Sequence, residues 1–307
     1  MSEEETDAAA DNTSCESCAC CGIAEIDDIK LVPCDDCDLV KYCSDECQEN
    51  HKPEHEEECK KRAAELRDEL LFKQPEGTHW GDCPICSLPL PFDKSKITSM
   101  SCCFKFVCDG CVYANRKRER EMRLQHTCPF CREPAFITKE EADKLRIKRV
   151  EANDPNAMRY EGGLQYNKGE YSSAFEYYTK TAELGDAGAH NYLACMYHEG
   201  KGVEKDVGKY IHHLEEAAIG GHPIARYFLG MHEWEIGNVE RAVTHFMIAA
   251  TLGDDDSLEA LMDMFKEGSV EKEDLAAALR AHKAAVDATK SPQRKTAEEY
   301  KKGIRGS

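Results

Sequence analysis

A chain of 307 residues is too long for one small core, and its formal net charge of −19 disfavours binding to a nucleic-acid backbone. It has no apolar run long enough to span a membrane, and its acidic first residues lack the basic and apolar regions of a signal peptide. We therefore expect two or three domains, a cytoplasmic or nuclear location, protein or peptide partners, and no membrane contact.

The first part of the chain is strongly acidic and rich in cysteine. Residues 1–60 carry 19 Asp and Glu against 4 Lys, and residues 1–14 have few bulky apolar side chains, which predicts a disordered acidic tail. All but one of the 18 cysteines precede residue 132. In a reducing compartment, closely paired cysteines persist as metal sites and not as disulfides.

Four close pairs follow the acidic tail, and their intervals suit tetrahedral metal sites with thiolate and imidazole ligands. Cys15 could replace Cys21 as the partner of Cys18, but Gly22 favours Cys21 because a glycine suits the turn that closes a zinc knuckle. The eight candidate ligands, enough for two closed sites, are Cys18, Cys21, Cys34, Cys37, Cys43, Cys47, His55 and Cys59.

The order of these pairs, and intervening residues such as Tyr42-Cys43-Ser44-Asp45-Glu46-Cys47, resemble the MYND-type zinc finger over roughly residues 18 to 59. The resemblance implies an interleaved pattern with two zinc ions. One ion would be held by Cys18, Cys21, Cys43 and Cys47, and the other by Cys34, Cys37, His55 and Cys59. It also implies recognition of short proline-containing peptides, for which the acidic surface here favours basic flanks.

A second set of pairs follows, and its order resembles a RING finger, in which alternate pairs share an ion. The resemblance implies one zinc site from Cys83, Cys86, Cys108 and Cys111, and another from the doublet Cys102-Cys103 with Cys128 and Cys131. A standard RING finger has a His or Cys one residue after its third ligand, and this chain has adjacent cysteines instead. The second site could therefore use one cysteine of the doublet plus His126, so we expect one or two zinc ions here.

Three residues of this second finger match positions that RING-type ubiquitin ligases use. Ile85 and Pro129 lie inside the first and last pairs, and Arg132 follows the last ligand. In that family the first two pack against a ubiquitin-conjugating enzyme and the arginine bonds both enzyme and ubiquitin, so the ligase contributes orientation. In the alternative interpretation, Ile85 packs over zinc, Pro129 shapes the knuckle, and Arg132 is a solvated charge.

The segment Val112–Thr127 weighs against a ligase. It lacks the tryptophan that many RING ligases place in their groove, and it carries the basic run Arg116–Arg123. Such a run could be a nuclear localisation signal or a phosphate-binding stripe. Its alternating charges are more typical of a solvated helix face.

Beyond Glu151 an internal repeat begins. Gly185, Gly221 and Gly253 recur at intervals of 36 and 32 residues, each closing a predicted helix. The longer interval contains Gly200–Asp206, which predicts an extended turn. The next helix of each unit repeats a small residue and a leucine, at Ala189, Ala225 and Ser257 and at Leu193, Leu229 and Leu261. Repeats of this length built from paired helices predict an α-solenoid.

The residues Tyr197–Asp206 resemble the Sel-type repeat, a relative of the tetratricopeptide repeat. The resemblance implies a curved array whose concave face binds proteins, with three units from about Asn156 to Gly253 and a degenerate one ending near Ala288. Gly162-Gly163 departs from the expected leucine and small residue. The histidines of the array lie on different helices without paired carboxylates, so we expect packing and not metal binding; they are His212, His213, His222, His232 and His245.

The predicted fold class is thus small zinc-stapled modules plus all-α, with two tandem zinc-binding fingers followed by an α-solenoid. The expected segments are a tail at 1–14, a first finger at 15–60, a helical linker at 61–79, a second finger at 80–137, a helical linker at 138–153, a repeat array at 154–290 and a flexible tail at 291–307. No catalytic motif occurs. The leading hypothesis is a zinc-binding adaptor; the alternative is a ubiquitin ligase whose array selects the substrate.

Overall fold

The computed structural model describes residues 17–134 and 138–305, which form two compact units. The first unit runs from Met1 to Leu71 and the second from Phe72 to Ser307. The predicted tail at 1–14 lies outside the described residues. No helix among those described is long and apolar enough to cross a membrane.

The first unit contains the first finger and most of one long helix. Strand β1 (Val32–Pro33) pairs antiparallel with β2 (Lys41–Tyr42), and α1 spans Asp45–Phe72. Its small core consists of cysteines with Leu31 and Tyr42. A core with so little apolar surface is usually insufficient to stabilise a domain of this size, so we expect bound metal to contribute to its folding. The helical linker was expected at 61–79, but α1 begins at Asp45, inside the finger, and ends at Phe72.

The second finger opens the second unit. Its strands β3 (Ile97–Ser99) and β4 (Phe106–Cys108) form an antiparallel pair in which Thr98 faces Val107, and α2 (Asp109–Glu121) follows directly. Helix α3 (Lys139–Glu151) comes next and begins with a capping box, in which Thr138 and Glu141 each bond the other's backbone N–H. The capping box explains why this helix starts where the sequence predicts it.

The repeat array is a series of antiparallel helix pairs, which confirms the predicted solenoid. Each pair packs on the next through neighbouring helices. Both predicted columns of small residues and leucines are buried. The helices are α4 (Pro155–Asn167), α5 (Tyr171–Glu183), α6 (Ala187–Glu199), α7 (Val207–Ile219), α8 (Pro223–Glu235), α9 (Val239–Thr251), α10 (Asp255–Lys266) and α11 (Lys272–Ala288).

A polar side chain caps the first helix of every pair. Asp154, Asp186 and Asp254 accept hydrogen bonds from backbone N–H groups in the first turns of α4, α6 and α10. At the equivalent position before α8, the ring of His222 accepts from the Ala225 N–H at 3.3 Å. Burial lowers the pKa of His222 to about 3, so that its ring is neutral and can accept. This histidine therefore caps helix α8.

The long turn at Gly200–Asp206 reaches back to the start of α5. Gly202 has a φ of +73°, and a Cβ atom there would lie 2.7 Å from the Tyr171 carbonyl carbon. Only glycine allows both the left-handed backbone and this close approach. The extra residues thus contact the preceding repeat, which the interval alone does not reveal.

Residue sizes at two facing positions are matched within each repeat. Gly162 faces Tyr178, and a Cβ atom on it would lie 2.7 Å from that ring. In the third repeat, Gly230 faces the ring of Phe246 in the same way. In the second repeat, the position of Gly162 and Gly230 is taken by the larger Ala194. The facing position, which is Tyr178 or Phe246 in the other two repeats, is taken by the smaller Leu214. The unexpected Gly162-Gly163 therefore makes room for a large aromatic ring.

The C-terminal segment differs from the expectation. Residues 291–307 were expected to be a flexible tail, and this is wrong for Pro292–Arg305, which form helix α12 against α2. Arg294 is buried and donates to the carbonyl oxygens of Pro89 at 2.7 Å and Leu88 at 3.2 Å. Half of the residues of this segment are charged and few are apolar, so that composition alone suggests a flexible tail.

Replacing Gly230 by Ala should destabilise the array by about 1–3 kcal/mol, because the added methyl meets Phe246. Adding Phe246→Leu should recover much of that loss, since the pair then matches Ala194 and Leu214. The measurement is chemical unfolding of the two single variants and the double variant. Gly163→Ala is the control; its Cβ would lie 3.7 Å from the Tyr178 hydroxyl, so it should be neutral or stabilising. Additive effects in the double variant would contradict this account.

Candidate metal centres

The structure brings the sixteen predicted ligands together in four groups of four. Within each group, all ligand atoms lie within 4.8 Å of one another. The groups are Cys18, Cys21, Cys43 and Cys47; Cys34, Cys37, His55 and Cys59; Cys83, Cys86, Cys108 and Cys111; and Cys102, Cys103, Cys128 and Cys131. Both fingers are therefore interleaved, with alternate pairs meeting. That each group holds a zinc ion remains a prediction.

In the first finger, helix α1 supplies ligands to both groups. Cys47 lies in its first turn, with its Sγ 3.6 Å from the Cys43 Sγ. His55 and Cys59 lie one turn apart further along the same helix, where residues four apart share a face. The His55 Nε2 is 3.0 Å from the Cys37 Sγ, so Nε2 is the nitrogen that would bind the metal.

Cys21, and not the adjacent Cys20, completes the first group. The Cys21 Sγ lies 3.5 Å from the Cys43 Sγ. Cys15, the competing ligand, lies outside the described residues. The expected role of Gly22 is visible, because Gly22 has a φ of +75° and its N–H donates to the Cys18 carbonyl oxygen at 2.8 Å.

The same turn recurs after three of the other four Cys-x-x-Cys pairs; the exception is Cys108 and Cys111, which lie at the start of helix α2. Asp38, Ser87 and Arg132 each follow the second cysteine of a pair, with φ values of +55°, +52° and +65°. Each donates its backbone N–H to the carbonyl oxygen of the first cysteine. A positive φ is costly for residues with a Cβ atom, so the closure of each knuckle must compensate for it.

In the second finger, both cysteines of the doublet belong to the second group. A tight turn, in which the Phe104 N–H donates to the Met100 carbonyl oxygen at 2.7 Å, presents the two thiols together. The Cys102 Sγ lies 3.3 Å from the Cys131 Sγ, and the Cys103 Sγ lies 3.9 Å from the Cys128 Sγ. The alternative with His126 is not what the structure shows.

His126 instead bonds a buried carboxylate. Its Nδ1 lies 3.0 Å from an oxygen of Glu119, which also accepts from the Thr127 N–H at 3.0 Å and the Asn115 amide at 2.8 Å. Although burial raises it, hydrogen bonds from His126 and Thr127 lower the pKa of Glu119 to about 2. Glu119 thus fastens α2 to the last knuckle, a role that its position in a charged run did not reveal.

The crowded thiols influence each other's ionisation. A hydrogen bond from the Cys108 thiol lowers the pKa of Cys83 to about 4, although burial raises it. The pKa of Cys108 is raised, because its proton is held in that hydrogen bond and its thiol is buried. One thiolate therefore forms easily in this group and disfavours the next. A divalent cation would remove that penalty, since metal binding displaces the remaining protons.

Arg294 also reaches the first group of the second finger. Its Nη2 lies 3.5 Å from the Cys86 Sγ, a charge-assisted contact that stabilises a thiolate. Sequence patterns do not reveal this contact, because more than 200 residues separate Arg294 from Cys86 and no spacing signal links them.

Among the residues assigned to a partner, Ile85 and Arg132 are exposed and Pro129 is half-buried. Arg132 Nη1 lies 3.2 Å from the Asn115 Oδ1. Arg132 thus lies beside α2, and the Ile85 side chain is exposed to solvent and not packed over the metal group.

Residues 15–59 match the family model described as MYND finger, which confirms the resemblance of the first finger. No curated protein matches the chain. A solved Sel1 repeat protein from Oxalobacter formigenes is similar, with 28% identity, a TM-score of 0.42, and coverage of 49% of this chain and 65% of that one. So is a protective antigen of uropathogenic Escherichia coli with an SLR fold, with 21% identity, a TM-score of 0.38, and coverage of 53% and 36%. The chain thus spans less than two thirds of either structure.

Native mass spectrometry should find four zinc ions in the purified protein, because four groups each offer four ligands. Cys103→Ser should leave three ions, since Cys102 and Cys103 are both ligands of the same site. His126→Ala is the matched control and should retain four. Retention of four ions by Cys103→Ser together with loss of one by His126→Ala would contradict the geometry described above.

Proposed function

We propose that this chain is a zinc-dependent adaptor, in which the first finger and the repeat array recruit different proteins. MYND fingers and Sel-type repeats are typical protein-interaction modules. The observation that supports the proposal is that each group brings together four candidate ligand side chains. Such closed sites are structural, because a catalytic zinc keeps one position open for water or substrate. The metals would therefore maintain surfaces, and function lies in what those surfaces bind.

The first finger offers an apolar surface within an acidic one. Its exposed aliphatic side chains are Ile23, Ile26, Val32 and Leu39. Exposed carboxylates lie close to them in the chain, at Asp27, Asp28, Asp35, Asp36 and Asp38. Aliphatic side chains suit the apolar part of a short peptide, and the carboxylates attract basic flanks. This combination supports the expected preference for proline-containing peptides with basic neighbours.

The repeat array offers an aromatic surface of its own. Tyr160, Tyr192 and Phe228 occupy the same position in α4, α6 and α8, and they are 51%, 37% and 39% exposed. Exposed aromatic residues at one position of successive repeats are unusual without a partner, because each loses the benefit of burial. This aromatic column supports the array as a second docking surface.

Purified protein should retain degenerate peptides with a fixed central proline and basic flanks more strongly than the same peptides with acidic flanks. Val32→Ser with Leu39→Ser should weaken binding about tenfold, because both remove exposed apolar contacts. Peptide binding is measured by fluorescence anisotropy. Tyr192→Ala with Phe228→Ala is the control, and it should leave this binding unchanged. Equal retention of both peptide sets would count against the adaptor.

The second candidate function is the ubiquitin ligase, and one observation favours it. The second finger packs against the array through Trp80 and Phe106, whose rings lie beneath the guanidinium of Arg159. Its helix α2 is covered by α12. The apolar residues of its first and last knuckles stay open, with Ile85 42% and Phe130 43% exposed. This is the surface that a ubiquitin-conjugating enzyme would use.

If the finger is a ligase, the zinc-loaded protein should accelerate ubiquitin discharge from at least one charged conjugating enzyme in a broad panel. Ile85→Ala and Arg132→Asn should each reduce that stimulation about tenfold or more, because both remove orienting contacts. Asparagine tolerates the left-handed backbone at residue 132, so the second variant tests the guanidinium and not the turn. No stimulation across the panel would leave the adaptor alone.

A further inference from the structure

Helices α2 and α12 enclose a cleft of about 490 Å³ on the second unit. Tyr113 from α2 and Tyr300 from α12 form one wall, with ring centroids 4.9 Å apart. Arg116 and Arg120, one helical turn apart on α2, line the cleft together with Lys301. The cleft therefore combines flat aromatic surface with three basic side chains.

The positive charge of this cleft is only partly neutralised. Lys301 pairs with Asp109, the one carboxylate that lines the cleft. Arg116 and Arg120 have no carboxylate within salt-bridge distance among the described residues. The Arg120 guanidinium lies 5.6 Å from the centre of the Tyr300 ring, and its Nε donates to the Arg116 carbonyl oxygen at 3.4 Å.

The neighbouring glutamate does not compensate these arginines. Glu119 is buried and its oxygens are occupied by the contacts of the last knuckle. Two like charges one turn apart on a helix repel each other, so the pair is unfavourable in the absence of an anion. In a chain of net charge −19, such an uncompensated basic pair is conspicuous.

The chemistry favours one compact, doubly charged anion. The planar fork of a guanidinium matches phosphate oxygens, and a phosphorylated side chain carries about −1.5 to −2 charges at pH 7. A long polyanion such as nucleic acid would meet the negative charge of the rest of the chain. We propose that the α2–α12 cleft binds a phosphorylated side chain of a partner protein, with the tyrosine wall packing against the residue that carries it.

This site lies outside both docking surfaces of the adaptor, because neither the first finger nor the aromatic column lines it. It would make recruitment of one partner depend on that partner's phosphorylation. The proposal can therefore fail while the adaptor function holds, and the reverse is also possible.

The test uses the full chain and three degenerate nonapeptide libraries with a central phosphoserine, phosphothreonine or phosphotyrosine. The same libraries without phosphate serve as the reference, and the retained protein is quantified. We expect retention on at least one phosphorylated library, reduced about tenfold or more by Arg116→Gln and by Arg120→Gln. Arg118→Gln is the matched control, because Arg118 is exposed on the same helix and does not line the cleft.

Retention by Arg118→Gln at the wild-type level would support the cleft over the general charge of α2. Equal retention on phosphorylated and unphosphorylated libraries would overturn the proposal. So would an equal loss in all three arginine variants. The remaining outcome is that a mixed-sequence single-stranded RNA binds more tightly than every phosphorylated library and loses that binding in Arg116→Gln and Arg120→Gln. That result would assign the cleft to nucleic acid and would also overturn the proposal. Zinc content of each variant confirms that the finger is intact.

Discussion

The crossed pairing of metal ligands is the constraint on which both fingers depend. Cys21 and Cys43 lie 22 residues apart in the chain, and Cys34 and Cys59 lie 25 apart, yet their sulfur atoms approach to 3.5 and 3.7 Å. The second finger repeats these separations with Cys86 and Cys108, and with Cys103 and Cys128. Thiols this close cannot all lose their protons without a cation between them. If each group holds an ion, folding of each finger and binding of its metals are coupled.

Different interactions determine the backbone structure of the fingers and of the repeat array. In the fingers, metal groups and left-handed turns define the backbone, so that side chains such as Ile85 and Leu39 need not be buried. In the array, packing defines it, and the matched sizes of Gly230 and Phe246 show how closely the two helices of a pair approach. Surfaces in both kinds of module are therefore available for binding without loss of the fold.

Spacing predicted the close ligand pairs, because that information is local, whereas their interleaved grouping was implied by the resemblance to the MYND and RING families. The solenoid was predictable for a similar reason, since its repeat of small residues and leucines is periodic. The packing of α12 was not predictable, because its contacts with Leu88 and Pro89 join positions about 200 residues apart. The use of both doublet cysteines instead of His126 was left open by the sequence, because no pattern indicated that His126 bonds the buried Glu119. The start of α1 at Asp45 was not predicted, because its first turns contain Cys47, His55 and Cys59, which the sequence assigns to the finger.

Helix α12 also has a consequence for the order in which the protein matures on the ribosome. The second finger is synthesised long before Pro292–Arg305, and the whole repeat array separates the two in the chain. During that interval the Gly110 surface of α2, against which Arg294 later packs, has no cover. The nascent second finger therefore passes through a stage in which its metal groups can form while one side of its helix is still exposed. The final surface of the second finger forms only after α12 has been synthesised.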